Sequence, residues 1–150
     1  MDDIDKKILI ALAKNARTTL TELSETIFLS TPAVRTRLQK LENCGYVKSY
    51  STILNPEKFG KDCVCFCLVQ LNDHCVSNDG AFTKFVEACP DILECHRITG
   101  QYEYMLKIVT KSIKSMEAII TRMRTEAGVN NTSTFAVLTT KKEDLSVCPE

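Results

Sequence analysis

The sequence predicts an α+β protein in two parts: an N-terminal winged helix-turn-helix domain and, past a hinge, a C-terminal ferredoxin-like βαββαβ domain. Three observations carry this. Apolar residues recur at helical spacing in three runs before Gly45, each behind a capping residue. Asn55-Pro56-Glu57-Lys58-Phe59-Gly60 then breaks both periodicities. From Asp62 onward the pattern is strand, helix, strand, strand, helix, strand, the order of a split βαβ unit. The expected boundaries are 1–54 for the first domain, 55–61 for the hinge and 62–150 for the second domain.

Asp2 or Asp3 caps the first predicted helix, whose apolar side is Ile4, Ile8, Leu9, Ala11 and Leu12. Its acids lie at the start and Lys14 and Arg17 near the end, as the helix dipole favours. Thr19 stands three residues before Glu22, the spacing of a capping box, so a second helix begins near Leu20 and carries Leu23 and Ile27 on one face. Phe28-Leu29 add apolar bulk at the turn.

Ser30 is the expected cap of a third helix, and Pro32 suits its first turn because the missing N–H has no intrahelical partner there. Val34, Leu38 and Leu41 form its narrow apolar stripe, while Thr31, Arg35, Thr36, Gln39 and Lys40 face elsewhere. Gly45 ends it, and Tyr46 to Ser51 alternates as a short strand able to serve as a wing. From Ser30 to Tyr50 the cations Arg35, Arg37, Lys40 and Lys48 oppose the single anion Glu42. A short capped helix, a tight turn and a second helix with hydroxyl and cationic groups outward match what a recognition helix in the major groove requires. Thr31, Arg35 and Gln39 are expected nearest base edges. Arg37, Lys40 and Lys48 are expected on phosphates or holding the helix, with Ser30, Pro32 and Thr36 completing the surface.

In the second part, Cys63 to Leu71 is the first strand, and Asp79-Gly80 opens a helix with Phe82, Phe85 and Val86 that stops before Pro90. Ile92 to Thr99 and Tyr102 to Val109 are two strands joined at Gly100-Gln101 by a two-residue type II′ turn. Ser112 to Ala127 is a helix with Ile113, Met116, Ile119, Ile120 and Met123 at helical spacing, closed by Gly128. Thr132 to Thr139 is the last strand, and Lys141-Lys142-Glu143-Asp144 begins a polar tail. Such a sheet carries helices on one face only, and a second copy of the chain is the simplest cover for the other.

With 150 residues and 44% hydrophobic content, the chain can bury a real core. Lysine plus arginine equals aspartate plus glutamate at 19 each, but residues 1–60 hold nine cations against seven anions. Any attraction to DNA therefore comes from a local patch. The acidic start Met1-Asp2-Asp3-Ile4-Asp5 lacks the cationic lead of a secretory signal, and no apolar run reaches bilayer length. A soluble cytoplasmic protein is expected, with no membrane association, cofactor or enzymatic activity. Of eight cysteines, Cys63, Cys65 and Cys67 alternate along one strand face. They read as small hydrophobes, because the C-x2-C spacing of a zinc knuckle is absent.

The residues also carry a resemblance. Asp5-Lys6-Lys7-Ile8-Leu9, Asn15-Ala16-Arg17, Glu22-Leu23-Ser24, Leu29-Ser30, Val34, Arg37, Leu38, Leu41-Glu42, Gly45 and Thr99-Gly100-Gln101-Tyr102-Glu103-Tyr104 together resemble the Lrp/AsnC family, nearly end to end. The resemblance implies a transcription regulator whose homodimers read a roughly palindromic double-stranded DNA site. It implies that the dimers often assemble further, commonly to octamers, and that an amino acid binds between them. Gly100, Gln101 and Tyr102 would offer backbone groups to that effector and Glu103 an anionic side chain. A partner subunit would add Thr132 and Thr134. The family more often has Asp at the place of Glu103, which alters the pocket's depth.

Two other readings share the scaffold. A sirohaem-decarboxylase-like enzyme would hold a tetrapyrrole through histidines and arginines, for which only His74 and His96 are available. A thiol- or metal-sensing regulator would use the cysteine row.

Overall fold

The computed structural model describes residues 1–72 and 76–149, with the side chains of 76–79 left out. The chain divides into two compact units, Met1–Ile53 together with Lys142–Glu150, and Leu54–Lys141. Residues from Lys142 onward group with the first unit.

In the first unit, α1 (Asp3–Lys14), α2 (Leu20–Ile27) and α3 (Thr31–Asn43) pack together. Each helix supplies two side chains to one core: Ile8 and Leu12, Leu23 and Ile27, Val34 and Leu41. Burying such a side chain stabilises the fold by about 1.5–3 kcal/mol. Both predicted caps of α1 and α2 form. Asp2 Oδ1 accepts the Asp5 N–H at 2.8 Å while Asp5 Oδ2 accepts the Asp2 N–H at 3.1 Å. Glu22 Oε2 accepts the Thr19 N–H at 2.6 Å, and Thr19 Oγ1 accepts the Glu22 N–H at 3.2 Å.

The turn between α2 and α3 departs from expectation in one respect. Phe28 adopts a left-handed conformation, φ 58° and ψ 44°, and its ring is 91% exposed, so only Leu29 of that pair packs on the core. The expected wing strand does not form either. Residues 47–55 carry no regular secondary structure, because a lone strand has no ladder to complete. Tyr50 instead donates its hydroxyl to Glu42 Oε1 at 2.7 Å.

Pro56–Phe59 make one 3-10 turn, opened by Asn55, whose side chain accepts the Glu57 N–H at 3.0 Å, and closed by Gly60 at φ +68°, where an L side chain is strained. Lys61 Nζ then pairs with Asp91 Oδ1 at 2.6 Å.

The second unit is β1 (Cys63–Leu71), α4 (Val76–Ala88), β2 (Ile92–Arg97), β3 (Tyr104–Thr110), α5 (Ile113–Glu126) and β4 (Val129–Ala136). Strand order β2-β3-β1-β4, antiparallel throughout, is the predicted ferredoxin-like sheet. Cys65, Cys67 and Val69 of β1 and Leu106 and Ile108 of β3 meet Phe82, Phe85, Ile119 and Met123 of the helices. On the opposite face Val64, Phe66, Leu68, Met105 and Phe135 stay partly or largely exposed.

Three boundaries shift. α4 begins three residues before Asp79. β4 spans Val129–Ala136 because β1 pairs it from Leu71↔Val129 to Cys65↔Ala136, and the weakly strand-forming Asn130-Asn131 hid its start. The tight turn is replaced by a longer connection: Arg97 faces Tyr104, and residues 98–103 form a loop closed by the Ile98 N–H donating to the Glu103 carbonyl at 2.8 Å. Among the described residues, no helix is long and apolar enough to cross a membrane.

Candidate functional site

Two regions hold the residues singled out by sequence, one in each unit. In the first, burial sorts α3 into faces. Val34 and Leu41 are buried, Leu38 is half-buried, and Pro32, Arg35, Thr36, Gln39 and Lys40 are exposed. Lys48 is exposed beyond the helix and Thr31 is half-buried in its first turn. Ser30 occupies the cap position, but its hydroxyl makes no capping bond, unlike those of Thr19 and Ser112. Among the described residues, the first-turn N–H groups of α3 therefore have no side-chain cap from Ser30. Thr36 is turned inward on its own helix, its hydroxyl donating to the Pro32 carbonyl at 3.0 Å.

Arg37 differs from its neighbours. Its Nη1 lies 2.6 Å from Asp2 Oδ2 and 2.8 Å from Asp5 Oδ1, so the guanidinium joins α3 to the first turn of α1. The cap N–H groups, and after them Arg37, hold both carboxyls below the usual range, and Arg37 is pushed up in turn. This geometry ties α3 to the start of α1. Sequence reading missed Asp2 and Asp5 as its partners; their spacing on one turn of α1 was the available signal.

In the second unit, the loop 98–103 and the start of β4 lie at the same end of the sheet, because Tyr104 and Thr132 both pair with Val69 of β1. Gly100 is exposed at φ +122°, a conformation that L side chains rarely adopt, and Gln101 is exposed beside it. Glu103 is partly engaged: Oε2 accepts the Leu71 N–H at 3.0 Å, where β1 departs from regular register with β4. One carboxylate oxygen of Glu103, expected as an anionic side chain for the effector, is thus engaged within the chain. Thr132 and Thr134 sit on the helix-covered face, Thr132 Oγ1 accepting from Arg124 Nη2 at 2.9 Å and Thr134 Oγ1 donating to Cys67 Sγ at 3.4 Å.

The residues of the two alternative readings are differently placed. His96 Nε2 lies 3.2 Å from Glu94 Oε2, with Lys107 Nζ 3.5 Å from the other oxygen; His74 lies outside the described residues. His96 first, then Lys107, holds Glu94 below the usual carboxylate range. Cys65 and Cys67 are buried, and burial pushes the Cys65 thiol up to about 11 and the Cys67 thiol up as well. A thiolate, the form that binds soft metal or attacks an oxidant, is disfavoured there. Among the described residues, no three His, Cys, Asp or Glu side chains gather to hold a metal.

Comparison with known proteins decides the family. Residues 64–147 match the model of the Lrp/AsnC ligand binding domain, and residues 1–48 match winged helix-turn-helix DNA-binding. The chain belongs to the Lrp/AsnC family. It is similar to the proline dehydrogenase transcriptional activator of Rhizobium radiobacter, 34% identical over 95% of this chain and 92% of that protein. The transcriptional regulator LrpA of Mycobacterium tuberculosis is 32% identical over 93% and 91%. Among solved structures, a Neisseria meningitidis transcriptional regulator in complex with L-Met superposes with a TM-score of 0.92 at 28% identity, over 98% of this chain and 96% of that one. This Lrp/AsnC protein is therefore a DNA-binding transcription regulator in which a helix-turn-helix domain is joined to a ligand-binding domain.

Proposed function

We propose that this regulator reads a roughly palindromic double-stranded DNA site as a homodimer or a larger ring such as an octamer, in the cytoplasm, without catalysing a reaction. Thr31, Arg35 and Gln39 approach base edges. Ser30, Pro32, Lys40 and Lys48 line the phosphates, Thr36 shapes the helix between them, and Arg37 holds it to α1. The supporting observation is the two-sided α3, greasy at Val34 and Leu41 and exposed at Arg35, Gln39 and Lys40. The half-exposed sheet face around Phe66 and Phe135 supports pairing with a second copy.

The effector is an amino acid. Backbone groups of Gly100, Gln101 and Tyr102 and the remaining oxygen of Glu103 meet it from one copy, with Thr132 and Thr134 from a neighbouring copy. The L-Met complex of the Neisseria regulator supports this class of ligand.

Selection of bound sites from a random duplex pool tests the DNA reading, with Arg35→Ala alongside the wild type. Arg35→Ala should relax preference at one position of each half-site, at a cost of about 1–3 kcal/mol. Unchanged preference would mean that another face of α3 enters the groove. Calorimetric titration with each amino acid tests the effector reading, and silence across all of them removes it.

A further inference from the structure

An amino-acid zwitterion carries one positive and one negative group, and a site that orients it meets each with its opposite. The effector residues assigned above include an anion, Glu103, and no cation. The structure supplies one beside them. Arg124 of α5 is exposed, and its Nη2 is fixed by the 2.9 Å bond to Thr132 Oγ1. A guanidinium has five N–H donors, and this bond uses one.

Its neighbour Arg122 is satisfied in a different way, forked onto Glu126 at 3.0 and 3.0 Å and lying 5.1 Å over the ring of Phe85. Arg124 has no such carboxylate among the described residues, only the neutral hydroxyl of Thr132. Burial pushes the Cys67 thiol up, and the Thr134 hydrogen bond, then the nearby charge of Arg124, draw it back. The competing cation is Arg97, which opens the loop opposite Tyr104 but has no side-chain hydrogen bond or ion pair to hold it among the described residues.

We propose that Arg124 is the carboxylate anchor of the effector site: braced on Thr132, it takes the carboxylate of an amino acid whose ammonium is met by Glu103 of an adjoining copy. This rests on the amino-acid reading above. It adds the ionic contact that the hydroxyls of Thr132 and Thr134 cannot make.

The test titrates the full chain with its tightest amino acid and with the carboxamide of that amino acid, in the wild type, Arg124→Gln, Arg124→Ala and Arg97→Gln. Circular dichroism identifies folded variants, and two substitutions at an exposed position guard against loss of either. Removing Arg124 should weaken the acid about 10- to 100-fold while leaving the carboxamide within about threefold. Equal losses for acid and carboxamide, or a carboxylate-specific loss in Arg97→Gln in place of Arg124→Gln, overturn the assignment while the amino-acid reading stands. A wild type that binds no amino acid removes both.

Discussion

Arg37 and Asp5 are 32 residues apart in sequence, yet Nη1 of one lies 2.8 Å from Oδ1 of the other. The same carboxylate accepts the Asp2 N–H at the start of α1, so one side chain closes a helix cap and holds α3. A phosphate approaching Arg37 would have to compete with two carboxylates already in place.

Salt dependence separates Arg37 from Lys40. If Lys40 meets a phosphate, Lys40→Gln should flatten the plot of log K against log salt by about 0.9, one counterion's worth. Arg37→Gln should leave that slope within about 0.3 while lowering affinity, because it loosens α3 and removes no phosphate contact. Equal flattening in both variants would mean that the guanidinium leaves Asp2 and Asp5 when DNA binds.

Acid should weaken the first unit through the same residues. Asp2 and Asp5 titrate below their ordinary value of 3.8 in the folded chain, so the unfolded chain takes up protons first as pH falls. Their contribution is present above the ordinary value and lost as pH drops through the depressed one. Urea midpoints should hold above about pH 5 and decline below about pH 4. Asp5→Asn should make that decline shallower, and an unaltered acid slope in this variant would assign it to other carboxylates.

Phe28 offers a stabilising substitution. A left-handed φ costs an L residue about 1–2 kcal/mol, and a ring 91% exposed returns almost nothing by burial. After the entropy that glycine gives up on folding, Phe28→Gly should gain roughly 0.5–1 kcal/mol in urea unfolding. A loss would show that the ring packs on something outside this chain.

Alkylation should divide the cysteines. Iodoacetamide at pH 8 should label the exposed Cys44, Cys95 and Cys148 well before Cys65 and Cys67, as mass spectrometry of the folded protein can show. Cys65→Ser, which buries a hydroxyl in place of a sulfur, should cost about 1–3 kcal/mol. Labelling of Cys65 as fast as Cys44 would revive a sensing role for the row.

What could be read from the sequence was local. Thr19 with Glu22, Ser112 ahead of α5 and Gly128 behind it define helix ends through residues within one turn, and β1 was found to the residue. The face of α3 followed from Val34, Leu38 and Leu41 alone. What depended on distant parts of the chain was less legible. The partners of Arg37 lie in another helix, and the Glu103 carboxylate is drawn to Leu71 by a register change in β1 that no local pattern records. The tight turn at Gly100 failed for the same reason: the pairing of Arg97 with Tyr104 set the loop length, not the glycine. The bond from Arg124 to Thr132 likewise joins a helix to a strand and has no local signature.

The central position of β1 has a consequence for synthesis on the ribosome. The hydrophobic partners of α1, α2 and α3 are all present once Leu41 has emerged. β1, however, needs residues 104–110 on one side and 129–136 on the other. Contacts so far apart close slowly, and an unpaired strand exposes its edges while it waits. The sensor half is thus the stretch most in need of chaperone protection, and a ribosome stalled before residue 129 would carry a helical reader attached to a sheet with a missing edge.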